Sequence, residues 1–197
     1  LSAYILTVED QTALGRNIQN GKAPAPDEGQ IESEYHALCS AMTEAGFAHY
    51  EVSNWARPGG HAVHNRHYWS GLPYWGIGPG AHSFSGMART ANVSNNPRYI
   101  RALNSAQGIQ DLPLETDALN PIDRYNESIM TGLRTAHGID LVELEKVHRL
   151  RPDLQNAVDW QQLISTGQLI ASGTDRFRIP ETHWLFADRI ASALFHV

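Results

Sequence analysis

The sequence predicts an α/β unit followed by a small, mostly helical, winged-helix-like C-terminal domain. Three observations carry that expectation. Short β-rich stretches and amphipathic helices alternate over roughly the first 110 residues. From Pro121 the pattern turns to short helices with little strand. The chain then closes with hairpin grammar, Gln168–Ile170 and Arg176–Ile179 flanking Ser172-Gly173-Thr174-Asp175, and one last apolar helix. Helices, a hairpin and a closing helix are the order of a winged-helix-like module. The domains are expected at residues 1–110 and 111–197, with the break near residues 108 to 121.

The elements follow in order. Leu1 to Val8 alternates and is β-rich, so it reads as a strand. Lys22 to Gly29 is a loop. Ile31, Tyr35, Leu38 and Met42 recur at helical spacing and define a helix from about Gln30 to Ala45, closed by Gly46. His49 to Asn54 reads as one short strand, and Arg57-Pro58-Gly59-Gly60 as a turn. Asn96-Pro97 is an N-cap followed by a helix-opening proline, and that helix runs to about Ala106. Ile122 to Arg134 presents Tyr125, Ile129 and Leu133 on one face. Asp140 to Glu143 is a capping-box pattern. Leu154, Ala157, Val158, Gln161 and Ile164 mark a further helix, and Trp184, Ala187, Ile190, Ala191, Leu194 and Phe195 the last one.

With 197 residues and 42% hydrophobic content the chain can bury a true core. A net charge of −6 argues against a nucleic-acid surface, and residues 121 onward carry eight basic against ten acidic side chains. The helical module therefore reads as structural, as a lid or as a docking surface. No apolar run approaches the roughly 18 residues of a membrane span, and Leu1–Val8 lacks the features of a signal peptide. A single cysteine, Cys39, leaves no internal disulfide and suits a reducing cytoplasm. It stands at a core-side position of its helix and reads as a small core hydrophobe. The sequence opens inside a strand without a methionine, so we expect a C-terminal piece of something longer, with an open edge able to self-associate.

Residues 64 to 84 are the most informative stretch. His64-Asn65-Arg66-His67-Tyr68-Trp69 precedes Gly76-Ile77-Gly78-Pro79-Gly80-Ala81-His82-Ser83-Phe84, joining histidines, glycines and large rings. Glycines admit a close backbone approach, histidines bind metal or move protons, and aromatic faces wall a flat ligand. The residues alone leave two readings of His64 open: an axial ligand to haem iron, or a loop histidine satisfied by backbone. His61, His64 and His67 recur every third residue, but a regular helix after Gly59-Gly60 is not expected, and zinc is disfavoured. Gly76-x-Gly78-x-Gly80 has the wrong spacing for a dinucleotide fingerprint and reads as a tight turn.

These residues carry a resemblance. Tyr50-Glu51-Val52-Ser53-Asn54-Trp55-Ala56-Arg57-Pro58-Gly59, His64-Asn65-x-x-Tyr68-Trp69 and Gly76-Ile77-Gly78-x-Gly80-Ala81-His82-Ser83 are similar to the oxygen-independent coproporphyrinogen III oxidase-like family of radical S-adenosylmethionine (SAM) proteins. They are nearer its haem-chaperone branch. Arg124-Tyr125-Asn126-Glu127-x-Ile129-Met130-x-Gly132-Leu133-Arg134 resembles the start of that family's C-terminal helical domain. The resemblance implies the C-terminal part of a radical SAM partial barrel. In the full-length protein it implies a [4Fe–4S] cluster, SAM, and haem or a porphyrinogen. It also implies binding roles for His64, Asn65, Tyr68, Trp69, His82, Gly78, Gly80 and Thr7, with His64 on haem iron and Thr7 at a strand end beside SAM. Tyr68, Trp69 and His82 fall at loop positions in that reading, and His148 far from the ligand wall. The family's CxxxCxxC loop is missing here, so this polypeptide alone is not expected to catalyse or to hold its cofactors tightly. The implied partners are the N-terminal half and a haem-receiving protein. Chaperone and oxidase remain alternatives, as does a non-catalytic binding module.

Overall fold

The computed structural model describes residues 1–197. The order is α1 (Ala13–Gln19), α2 (Glu28–Glu44), β1 (Ala48–Glu51), β2 (Asn54–Ala56), α3 (Val63–Trp69), β3 (His82–Phe84), β4 (Ala88–Asn92) and α4 (Asn96–Leu103). Then come β5 (Leu114–Ala118), α5 (Pro121–Leu133), β6 (Ile139–Asp140), α6 (Leu141–His148), α7 (Pro152–Gln155), α8 (Ala157–Ser165), β7 (Ile170–Ala171), β8 (Arg176–Arg178) and α9 (Ala187–Ser192). The α/β class holds. Every strand pair is antiparallel: β1 with β2, β4 between β3 and β5, and β8 between β6 and β7.

The second half has the winged-helix layout, since the β7–β8 hairpin adds to β6 and packs with α5, α6 and α8. Asn120 accepts from the Ile122 and Asp123 amides while the Asp123 carboxylate accepts from the Asn120 amide, so α5 starts on a reciprocal cap. Its core face is the expected one, with Tyr125, Ile129 and Leu133 fully buried. They meet Leu141, Leu144, Trp160, Leu163, Leu169, Ile179, Trp184, Ile190 and Leu194 in the main hydrophobic core. Tyr35 of α2 is the sole buried side chain from the first half to join it. Backbone also ties in the first half: Val52 N–H donates to Arg134 O (3.0 Å) and Ala136 N–H to Tyr50 O (3.1 Å).

Several expectations are corrected. Leu1–Val8 is not a strand: Leu1 to Ala3 pair beside β2, through Ser2 opposite Asn54, and the remainder is irregular. The neighbouring chain turns back at Val52–Ser53, so nothing remains for Tyr4 onward to bond. That same turn splits the single strand expected over His49–Asn54 into β1 and β2. Val63–Trp69 is helical where no regular helix was foreseen, so Tyr68 and Trp69 lie on a helix and His82 on a strand, none of them in loops. Asn95, not Asn96, caps α4, which ends at Leu103. The helix expected from Leu154 breaks at Asn156 into α7 and α8, and its inward residues are Trp160 and Leu163 while Leu154 and Val158 are exposed. The last helix begins as a 3-10 turn over Glu181–Phe186. The sheet of β3, β4 and β5 was not anticipated; β5 is exposed on every residue and carries no apolar alternation.

Candidate functional site

The helix α3 is set down on α5 by Trp69, whose ring receives the Arg134 guanidinium at 5.6 Å. At about 100° per residue, Asn65, Tyr68 and Trp69 fan over one side of α3. Beneath them opens a cavity of about 860 Å³. Its aromatic wall continues from Tyr68 to Tyr74 (4.4 Å between centroids) and from Tyr74 to Phe84 (6.0 Å). Tyr74 and Phe84 are held in register by paired backbone bonds, 3.0 and 2.9 Å. The floor is the polar face of α5: Arg124, Glu127, Ser128, Thr131 and Arg134, spaced for one side of a helix. The β1–β2 turn contributes Glu51 to Asn54, β4 contributes Arg89, and α6 contributes Val147 and His148.

Charge is distributed unevenly around this space. Arg89 pairs with Glu127, and Arg134 forks onto Asp188. Arg124 has no ion-pair partner, and its buried Nε finds no acceptor. A half-buried guanidinium with an unsatisfied donor is what an anionic ligand group would complete. His148 bonds Ser128 Oγ at 3.0 Å, and burial together with the Arg124 charge pushes its pKa below the usual histidine value. Glu51 is fully buried and accepts from Asn54 Nδ2; burial raises its carboxyl above the usual range.

Of the residues singled out in the sequence, Asn65, Tyr68 and Trp69 line this cavity. His64 is exposed and meets the Tyr68 ring edge-on at 4.9 Å, just outside the lining fan. His67 falls on the far side of α3. Gly78 and Gly80 have φ of 112° and 69°, and their turn folds onto its own surroundings: Asn92 Nδ2 donates to Gly76 O and Gly78 O, and Tyr99 OH accepts from Gly78 N–H. Those backbone groups are used internally. His82 is exposed on β3. Thr7, exposed and outside any strand, lines a separate apolar groove of about 880 Å³ with Ile5, Leu6, Leu14, Ile31, Tyr35 and Leu38. His61 stacks on Tyr50 (4.5 Å), so the three histidines do not converge. His148, expected far away, stands in the cavity itself because α6 folds back along α5. The arginine floor was missed; its signal was the polar run at positions 124, 127, 128, 131 and 134.

No protein-family model matches the sequence. The fold matches the structure titled "Coproporphyrinogen III oxidase (HemN) from Escherichia coli is a Radical SAM enzyme", with a TM-score of 0.66 over 93% of this chain and 44% of that one, at 16% identity. The fold is therefore of the HemN type. The chain is 38% identical over 157 residues to the heme chaperone HemW of Mycobacterium tuberculosis, covering 78% of this chain and 38% of that protein. It is 30% identical over 210 residues to the heme chaperone HemW of Synechocystis, covering 99% and 51%. The chain belongs to the HemN/HemW-like family, and it spans about half or less of the length of these curated relatives. No helix is long and apolar enough to cross a membrane.

Proposed function

We propose that the chain forms one wall of a tetrapyrrole site in a cytoplasmic haem-trafficking protein, whose [4Fe–4S] cluster and SAM are held by residues outside the 197 described. The observation that carries this reading is the cavity beneath α3. It has the size of a small-molecule site, an aromatic wall for a flat macrocycle and, opposite it, an unpaired arginine for a carboxylate. Haem and porphyrinogens combine a broad apolar disc with acidic side arms, so the donor set fits the group. When bound, haem would supply an iron centre. This chain's part is to stack Tyr68, Trp69 and Tyr74 against the ring, to bind its carboxylates through Arg124, and to exclude water. His64, at the rim of α3, is the residue that would hold haem iron. Gly78 and Gly80 shape the neighbouring turn, with His82 beside it. Thr7 and the exposed Tyr4–Leu6 segment, at the apolar groove, are where the remainder of the protein or another copy packs. A haem-receiving protein is the partner this role requires. The relatives named as heme chaperones favour trafficking over coproporphyrinogen oxidation.

Haem titration of the full-length protein, followed by the Soret band, tests this reading. His64→Ala should weaken binding and shift the band, because a side chain that holds iron would change its electronic state. Trp69→Ala should weaken binding with little shift, since it removes contact and not a ligand. The control is His67→Ala, on the far side of the same helix, and not His148, which lines the cavity. Unchanged affinity and spectrum in His64→Ala would return that residue to a surface role. The alternative is a non-catalytic binding module; a CxxxCxxC motif elsewhere in the parent gene would overturn it.

A further inference from the structure

Away from that cavity, Cys39 of α2, His49 of β1 and Glu181 of the 3-10 turn converge. Their potential ligand atoms all lie within 4.8 Å of one another. We propose that this trio is a binding site for a divalent cation of the zinc class, taken through the Cys39 thiolate, His49 Nδ1 and a Glu181 carboxylate oxygen. The donors suit such an ion: sulfur, imidazole and carboxylate are its usual protein ligands, and three of them with an open fourth position make a complete tetrahedral set. Three elements distant in sequence supply them, so the site exists only in the folded chain.

Further observations support the assignment. His49 Nδ1 already faces Glu181 Oε1 at 2.8 Å, which orients both groups toward one point. The His49 side chain is 2% exposed, stacked on Trp55 at 3.9 Å and met edge-on by Trp184 at 4.3 Å, so its ring cannot swing away. Behind Cys39 the Tyr35 hydroxyl is buried without a hydrogen-bond partner, placed where it can donate to a metal-bound sulfur. In front, Cys39 and Glu181 open onto a surface cavity of about 410 Å³ that His36 and Glu44 also line, giving an ion a way in. Bond lengths of about 2.0–2.3 Å require the donors to draw somewhat closer than 4.8 Å, a movement within reach of the half-exposed Cys39 and Glu181 side chains.

Binding releases the thiol proton, and no redox step is involved. Cobalt(II) is the probe, titrated into the reduced chain. One equivalent should bind, with a near-ultraviolet sulfur-to-metal charge-transfer band and the visible bands of a tetrahedral site, and zinc should displace it. Cys39→Ser should abolish the charge-transfer band, and Glu181→Gln should weaken binding at least tenfold, with circular dichroism unchanged in both. Cobalt bound without the sulfur band, no saturable binding, or equal affinity in Cys39→Ser would each overturn the proposal. Haem plays no part in these measurements, so their outcome is independent of the cavity reading.

Discussion

Arg124 is the residue on which the ligand reading turns most sharply. Its neighbours Arg89 and Arg134 are already neutralised by Glu127 and Asp188, whereas Arg124 is not. A charge-assisted hydrogen bond to a ligand carboxylate contributes about 1.5–3 kcal/mol. Arg124→Gln should therefore weaken haem binding by about ten- to a hundredfold, measured by Soret titration. Haem with both side arms esterified should bind parent and variant alike. If the ester distinguishes them as strongly as the free acid does, Arg124 acts through packing and not through charge.

Glu51 is a buried carboxylate beside the same cavity, and its contacts point to a structural role. It accepts from Asn54 Nδ2, and Asn54 in turn accepts from Ser2 Oγ, which fastens the first residues to the hairpin turn.

Among the elements, the β6–β8 ladder depends on one glycine. Gly138 has φ of 74°, and a Cβ there would run into the Phe177 carbonyl and the Arg178 side chain. Left-handed backbone in a non-glycine residue costs about 1–3 kcal/mol and overpacking a similar amount. Gly138→Ala should lose about 2–5 kcal/mol in urea unfolding, and a loss below about 1 kcal/mol would mean the ladder yields easily. The α5 helix shows how one element serves two purposes. Its apolar face, Tyr125, Ile129 and Leu133, anchors the core, and its polar face forms the cavity floor. Leu133→Ala should cost about 2–5 kcal/mol through the void it leaves. Arg124→Gln, one residue from Tyr125, should leave stability nearly unchanged.

For the molecule as a whole, buried titratable groups set the pH response. Burial lowers the folded-state pKa of His49 and His148 below the usual 6.5. As pH falls through that value the unfolded chain takes up protons that the folded chain refuses, so stability declines until the lower folded values are reached. The thermal midpoint should drop between pH 7 and pH 5.5, and His49→Gln should flatten that drop. Glu51 works in the opposite sense. Its raised pKa means the folded chain binds that proton first, so its destabilising effect appears as pH rises above 4.5 and levels off above the folded value.

Local and repetitive features could be read from the residues in order. A capping residue such as Asp140, helical spacing through Tyr125, Ile129 and Leu133, and turn residues in the Ser172–Asp175 hairpin act over three or four positions and were legible. So was the unusual mixture of rings, histidines and glycines around Tyr68 and Trp69, two residues that the fold sets along the cavity. Features that depend on distant partners emerged with the fold. Leu1–Val8 has strand composition but finds only three residues' worth of neighbour. Val63–Trp69 is helical once Trp69 rests on Arg134. The cavity joins Tyr68 to Arg124 and His148, and the Cys39–His49–Glu181 trio closes over more than 140 positions. No local pattern encodes such distances, because side chains that meet across the fold carry no shared period in the chain.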